Sequence, residues 1–364
     1  MGGRSITGKS SRGGPSKRKV GMGKVGKGMG NARTGSGREP AYTVGLDIGG
    51  TKILGALLDP DGEVVATVRR STVHGAEGLV AGAAQAVHDV ATSGGVEIAD
   101  LAGVGLGIPG IVDHRSGTVK HAVNLGVHDD ELPLADLLSV ELGGVPVVVE
   151  NDLNVAAVGA AHVLERSADR DGGDQDGTDQ DGGERAHEDL AFLALGTGLA
   201  SGLVLDGQLR RGASGAAGEI GHIPVDPLGP ECPCGQRGCL ERFASGRALE
   251  AAWPSRHGKP SPVELFEAAR AGDEEAIVVR DKFASATASA VRLLVLTTDV
   301  RHVVLGGGVA QLGTELLDAV QDALREQAKV SSFLGSLKLA ERVRLAPTHV
   351  PVAAVGAAVL GRRS

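Results

Sequence analysis

From Tyr42 onward the apolar positions alternate between two rhythms, a period of two and a period near 3.6. The stretch "YTVGLDIGGTKILGALLDPDGEVVATVRR" holds three runs rich in Val, Ile and Leu, separated by a glycine turn and an Asp-Gly turn. That is the pattern of an antiparallel meander. "GLVAGAAQAVHDVATS" then predicts a helix, "LAGVGLGIPG" a buried strand ending in a loop, and "LPLADLLSVELG" a helix. "VPVVVE" predicts another buried strand and "NDLNVAAVGAAHVLE" another helix, so the first unit is α/β.

"LAFLALGTGLASGLVLDGQLRRG" repeats the opening: strand, Gly-Thr-Gly turn, strand, Asp-Gly turn, strand. Thr51 and Asp59 stand eight positions apart, Thr197 and Asp206 nine. An internal repeat of this kind predicts a duplicated domain, with two similar halves presenting a Gly-Thr turn to each other across a cleft. The remainder is helical: the Ala-rich "DEEAIVVRDKFASATASAVRLLVLTTD", the strand "HVVLGGG", the helix "LGTELLDAVQDALREQAK" and a closing "PVAAVGAAVLG". The expected units are residues 41–160 and 189–364, with the last helix available to pack back on the first unit.

Composition adds limits to this picture. Aromatics are only 2% of the 364 residues, so Ala, Val and Leu must do most of the packing. No apolar run reaches membrane-spanning length and the N-terminus lacks the apolar middle of a signal peptide, so no membrane association and a cytoplasmic location are expected. Three cysteines make a disulfide framework a poor fit. The net charge of −8 hides two unlike parts, because residues 1–40 carry ten Lys or Arg against one acid. This Gly-, Ser- and Lys-rich tail is expected to be disordered. It reads either as an arm for polyanions such as nucleic acid, polyphosphate or anionic lipid, or as a solvated extension or upstream sequence, Met1, Met22 and Met29 all lying in it. The blander reading is preferred. Residues 161–188 enclose an acidic, Gly-rich insert ("SADRDGGDQDGTDQDGGERAHE") that lacks the EF-hand register and reads as a surface loop.

Several short stretches carry chemistry. "DIGGTK" and "LGTGLASG" place glycines and a threonine at strand-pair tips, where backbone N–H groups can approach a phosphate chain. Neither is a Walker motif. Asp47 stands where a carboxylate can hold Mg2+ through water, and Lys52 can offset phosphate charge. "ENDLN" follows a strand and opens a helix; Asp152 is there either a helix cap or a base at the ligand-binding end of a sheet. "GEIGH" supplies Glu219 and His222, and ten residues later come Cys232, Cys234 and Cys239. One imidazole and three thiolates suit a closed, structural Zn2+ site better than redox work, since there is no C-x-x-C. "VVLGGGVA", with Gly307 and Gly308, ends a strand and begins a helix; it is either a tight turn or a seat for adenosine with the helix start facing phosphate.

Taken in order, "DIGGTK", "GIPG", "ENDLN", "LGTG", "GEIGH", "CPCGQRGCLE" and "LGGGVA" resemble the ROK family (repressors, open reading frames and sugar kinases), particularly its bacterial zinc-containing glucokinases. The match spans roughly residues 42–361. The resemblance implies a duplicated actin-like (ribonuclease H-like) ATPase fold, two domains around a cleft, and transfer of the ATP γ-phosphoryl group to the 6-hydroxyl of a hexose, glucose first. It implies Asp152 as base, and Asn124, Asn151, Glu219, His222 and Glu241 as sugar-binding residues. Asp47, Gly49, Gly50, Thr51, Lys52, Gly196, Thr197 and Gly198 match the phosphate turns. A homodimer or homotetramer is implied as well.

Two departures stand out. The family's "NLPGW" is "NLGVHDDELP" here, and Ala200 and Ser201 stand where another glycine is usual. The alternatives are a kinase for N-acetylglucosamine, N-acetylmannosamine, mannose or fructose, a polyphosphate-using kinase, or a sugar-responsive regulator. A regulator of this family carries a helix-turn-helix ahead of its body, which the glycine-rich tail is too short to form, so no specific nucleic-acid partner is expected.

Overall fold

The first apolar runs form β1 (Tyr42–Ile48), β2 (Lys52–Leu58) and β3 (Val64–Ser71) in a computed structural model that describes residues 42–128, 130–170 and 189–362. The basic stretch 1–40 and residues 171–188 of the insert lie outside the described residues. Next come α1 (Ala76–Ser93), β4 (Leu101–Ile108), the small hairpin β5 (Ile111–Asp113) and β6 (Thr118–Lys120), α2 (Leu134–Glu141), β7 (Val147–Asn151) and α3 (Asp152–Arg170). The sheet order is β3-β2-β1-β4-β7. β1, central and apolar nearly throughout, is covered on both faces, whereas the edge strand β3 alternates exposed and covered residues, with Arg69 exposed and Arg70 half-buried against Asp89 of α1. In α1 a stripe from Leu79 through Ala83 and Val87 to Val90 is buried on this sheet, as its 3.6-residue rhythm requires.

The second half repeats the plan. β8 (Leu190–Leu195), β9 (Leu199–Leu205) and β10 (Gln208–Leu209) form the meander, followed by α4 (Gly246–Ala252), α5 (Ser261–Arg270) and α6 (Glu274–Thr298). β11 (His302–Gly306), α7 (Thr314–Lys329), α8 (Ser332–Ser336), α9 (Leu339–Arg342), β12 (Val343–Leu345) and α10 (Val352–Arg362) complete the described chain. Its sheet runs β10-β9-β8-β11-β12. In both sheets the first three strands are antiparallel and the last two are added parallel to the first. The duplication legible in the two Gly-Thr hairpins is therefore a duplication of topology, the actin-like arrangement of two ribonuclease H-like halves. No helix among the described residues is long and apolar enough to cross a membrane.

The two halves are joined through helices. α3, which ends the first sheet's run, packs on β8 and β9 of the second, while α10 packs on β1, β2 and β4 of the first. The two helices cross where Gly159 meets Gly356: a Cβ built at Gly356 would lie 1.8 Å from the Val155 carbonyl oxygen and 2.5 Å from the Gly159 nitrogen. Gly45 and Gly105 of the first sheet likewise admit α10 to backbone contact. Only residues without a side chain permit such an approach.

Two sequence expectations change. The helix opened by "NDLNV" does not stop at Glu165 but runs to Arg170, into the stretch read as the insert. It persists because tertiary contacts hold it: His162 Nε2 meets the Gly62 carbonyl at 2.8 Å, and Arg166 donates to the Asp61 carbonyl at 2.6 Å and pairs with Glu63. The glycine turn after β11 leads not into an α-helix but into one 3₁₀ turn, Val309–Leu312, and α7 starts only at Thr314 because Gly313 (φ 67°) breaks the path. α4, α5 and β12 carry too little periodicity to be read from sequence, being short pieces held by the core.

Replacing Gly356 with Ala is expected to destabilise the protein by about 3 kcal/mol, since backbone rather than a yielding side chain blocks the new methyl. Gly82→Ala in α1, whose Cβ would meet Ile53 at an ordinary 3.6 Å, is the control expected to leave Tm unchanged or raised. Thermal melting of the two variants compares them directly.

Candidate functional site

Asp47 occupies the last turnward positions of β1, opposite Leu54 of β2 and Gly107 of β4. The turn that follows is pinned by the segment after β3: Thr72 Oγ1 donates to the Gly49 carbonyl at 2.6 Å, Thr72 N–H to that of Thr51 at 3.2 Å, and His74 Nε2 meets that of Gly50 at 2.7 Å. The Asn124 turn rests on the same place, its carbonyl oxygen 3.3 Å from a Cβ built at Gly50. Asn124 and the first Gly-Thr turn are thereby neighbours, although 74 positions separate Gly50 from Asn124.

β7 passes directly into α3, and Asp152 is the first residue of that helix. Asn151 Oδ1 accepts the Leu153 N–H at 3.0 Å, the bond of a helix cap. Asp152 Oδ1 accepts the same N–H at 3.0 Å, but the capping position is already filled by Asn151. Burial pushes the Asp152 carboxyl above the ordinary carboxylate range, and the charge of Glu219 adds to the rise against the opposing Leu153 N–H. Asp47 is pushed up to about 6, first by burial and then by the charge of Asp152, with Lys52 opposing. Asp47, Asp152 and Glu219 thus form a row in which each acid feels the next.

The far end of the row is the cysteine cluster. Ligand atoms of His222, Cys232, Cys234 and Cys239 all lie within 4.8 Å of one another. Cys234 and Cys239 sulfurs are 3.7 Å apart, and Cys232 Sγ is 3.7 Å from His222 Nδ1. Tetrahedral zinc, with S at about 2.3 Å and N at about 2.0 Å, requires ligand separations of this size. The donor set therefore fits a closed zinc site held by these four residues. His222 presents Nδ1 to the cluster, while Nε2 lies 4.0 Å from Glu219 Oε2, so a metal on one face would orient the other. Glu241 bridges onward: Oε1 is 3.0 Å from Cys232 Sγ, and Oε2 is 3.0 Å from a Cβ built at Gly198.

The second Gly-Thr turn is held from behind. Gly246 N–H donates to the Gly196 carbonyl at 2.7 Å and Arg247 N–H to that of Thr197 at 3.4 Å, both from the start of α4. A cavity of about 630 Å³ is lined by Asp47, Lys52, Arg69, Gly307, Gln311 and His349, among others. The structure thus brings Asp47, Lys52 and Gly307 to one space. Gly196, Thr197, Gly198 and Gly308 do not line it. A second cavity of about 640 Å³ between α5, α6 and α7 contains none of the predicted residues. Arg69, His349, Glu150 and Arg211 were not singled out from sequence; of these only Glu150 had a signal, its place in "ENDLN".

Ionised Asp47 opposes folding, because its folded value lies above its ordinary 3.8. The penalty is complete above about pH 6 and disappears as the pH falls toward 3.8. Asp47→Asn is expected to raise Tm at pH 7.5 by the equivalent of roughly 1–3 kcal/mol, with the gain shrinking as the melts are repeated toward pH 4.5. The wild-type protein is expected to carry about one zinc per chain, lost in Cys234→Ala with a fall in Tm. Elemental analysis decides this, and a metal-free preparation with unaltered Tm would refute the site.

Comparisons with known proteins agree with this geometry. The family model described as "ROK family" matches residues 43–171 and 174–363. A glucokinase of Thermotoga maritima is 31% identical over 313 residues, covering 81% of this chain and 90% of that one. An N-acetylmannosamine kinase of Pasteurella multocida is 33% identical over 268 residues, 72% of this chain and 80% of that one. The crystal structure of a ROK family glucokinase from Streptomyces griseus with glucose and AMPPNP is 32% identical, with a TM-score of 0.65 over 89% of this chain and all of that one. With the duplicated sheets, the acidic row and the Cys-His cluster all present, the chain belongs to the ROK family.

Proposed function

We propose that this protein is an ATP-dependent hexokinase that phosphorylates the 6-hydroxyl of glucose. The observation that supports this most is the placement of Asp152 at the end of β7, its carboxyl raised by burial, between Asp47 beside the first Gly-Thr turn and Glu219 beside the zinc cluster. A base between a phosphate end and a sugar end is what transfer between the two demands.

The hexose lies against Asn124, Asn151, Glu219, His222 and Glu241, whose amides, carboxylates and imidazole can meet several hydroxyls at once. Asp152 accepts the proton of the 6-hydroxyl as that oxygen bonds to the γ-phosphorus and the bond to the β–γ bridging oxygen breaks, leaving ADP. Gly49, Gly50, Thr51, Gly196, Thr197 and Gly198 offer backbone to the phosphates, and Gly307 and Gly308 the adenosine side. Lys52 offsets phosphate charge. The Mg2+ that accompanies ATP neutralises phosphate charge, and Asp47 is the carboxylate that would hold it through water; its raised pKa marks a site a cation would relieve. The bodies 41–160 and 189–364 close on the sugar and exclude water. Polyphosphate as donor and a dimeric or tetrameric assembly remain within the same reading.

The N-acetylmannosamine kinase relative favours a second substrate, since it is as similar as the glucokinases. A coupled ADP-release assay across glucose, mannose, fructose, N-acetylglucosamine and N-acetylmannosamine, with ATP and with polyphosphate, separates the readings; glucose with ATP is expected to give the highest kcat/KM. Asp152→Asn is expected to lower kcat by about 10²–10⁴-fold while glucose binding stays measurable. Near-normal turnover in that variant would remove the base assignment.

A further inference from the structure

Glu150 precedes Asn151 and has no part in the chemistry above, yet it is a carboxylate only 3% exposed. An ion buried in this way is costly unless its oxygens are all engaged. Here they are. Oε1 accepts the Asn151 N–H at 3.0 Å and the Asn154 side-chain amide at 2.8 Å, while Oε2 accepts Arg211 Nε at 2.5 Å. β7 belongs to the first sheet and Arg211, itself half-buried, follows β10 of the second, so this pair ties the two sheets together beside the acidic row.

Both ends of the pair lead to site residues. On one side, Asn151 and Asn154 flank Asp152 in the first turn of α3. On the other, the Arg211 carbonyl accepts the Ala217 N–H at 3.2 Å and closes the loop 211–217. The next residues are fixed in turn: Ser201 N–H and Oγ both donate to the Gly218 carbonyl, at 2.8 and 3.1 Å, and Glu219 N–H meets that of Ala216 at 3.4 Å. A buried ion pair contributes little net stability compared with an apolar pair of the same volume. What this one supplies is direction.

We propose that buried Glu150 and half-buried Arg211 form a clamp between β7 and the loop 211–219 that holds Glu219 opposite Asp152, which makes both of them positioning residues for hexose binding. The kinetic side of this proposal rests on the sugar-kinase reading; the clamp itself rests on the geometry. None of the residues that line the cavity around Asp47 and Lys52 bonds to the pair directly, so the nucleotide side is the internal comparison.

The test compares the full-length wild type with Glu150→Gln, Arg211→Gln and the double variant. Glu150→Gln keeps an acceptor for the Asn151 N–H but removes the charge. Amide hydrogen exchange across 212–219 is expected to quicken by about tenfold or more in each variant, with α1 as an unchanged reference. The hexose KM is expected to rise by about tenfold while the ATP KM stays within about twofold. Arg211→Gln leaves the buried Glu150 charge unpaired and is the variant at risk of not folding, whereas Glu150→Gln leaves a half-buried Arg211; the double variant leaves neither charge, and its effects are expected to be no larger than either single. Unchanged exchange at 212–219, or an unchanged hexose KM, in the folded double variant overturns the clamp. If the wild type turns over no hexose, the kinase reading falls, and the exchange measurement alone decides the clamp.

Discussion

The crossing of α3 and α10 at Gly159 and Gly356 is the contact on which the rest of the molecule depends. The two helices begin at the cleft, one with Asp152 and the other just after the segment 346–352 that lines the cavity with Asp47. From Asp152 to Gly159 is seven residues, roughly 10 Å of helix, and from Val352 to Gly356 roughly 6 Å. With levers this short, a backbone-to-backbone contact sets where the helix starts stand. Because α3 lies on the second sheet and α10 on the first, each half carries a piece of the other, and the halves cannot be positioned separately.

That mechanical frame supports an electrostatic burden. Burial raises the carboxyls of Asp47 and Asp152, with a further push from Asp152 on the first and from Glu219 on the second, so their ionisation opposes folding. Such strain persists only where the surroundings over-determine the positions. Three devices do so: the bonds from Thr72 and His74 that fasten the first turn, the Cys-His cluster that fixes His222 and Glu241, and the pairing of buried Glu150 with half-buried Arg211. On the proposed kinase reading, the same acidic row that opposes folding would attract a cation with its phosphates and take up a hydroxyl proton.

The large alanine and leucine content shapes this economy. The biggest fully buried side chains are leucines and isoleucines, and few aromatics anchor the core. Helices therefore come close, and glycines at the closest points bring them closer still. Contacts from Gly62 and Glu63 support the helix of "DLNVAAVGAAHVLE" as it extends through "RSADR" to Arg170.

Periodicity alone was enough to place both meanders, because a strand buried on two faces must be apolar and a turn between paired strands must be glycine-rich. The spacing of Cys232, Cys234 and Cys239 after "GEIGH" was enough to assemble the metal-ligand set, since thiolates and imidazole within one short segment have few other uses. The long-range pairings escaped it. Glu150 and Arg211 are 61 positions apart and Asn124 is 74 from Gly50, so nothing local signals their meeting. The surroundings of Asp152 also waited on the fold: Asn151 takes the cap, while burial and then the charge of Glu219 raise the Asp152 carboxyl. Local chemistry is written in short-range pattern, but charge and orientation depend on what is brought near in space, and only packing determines that.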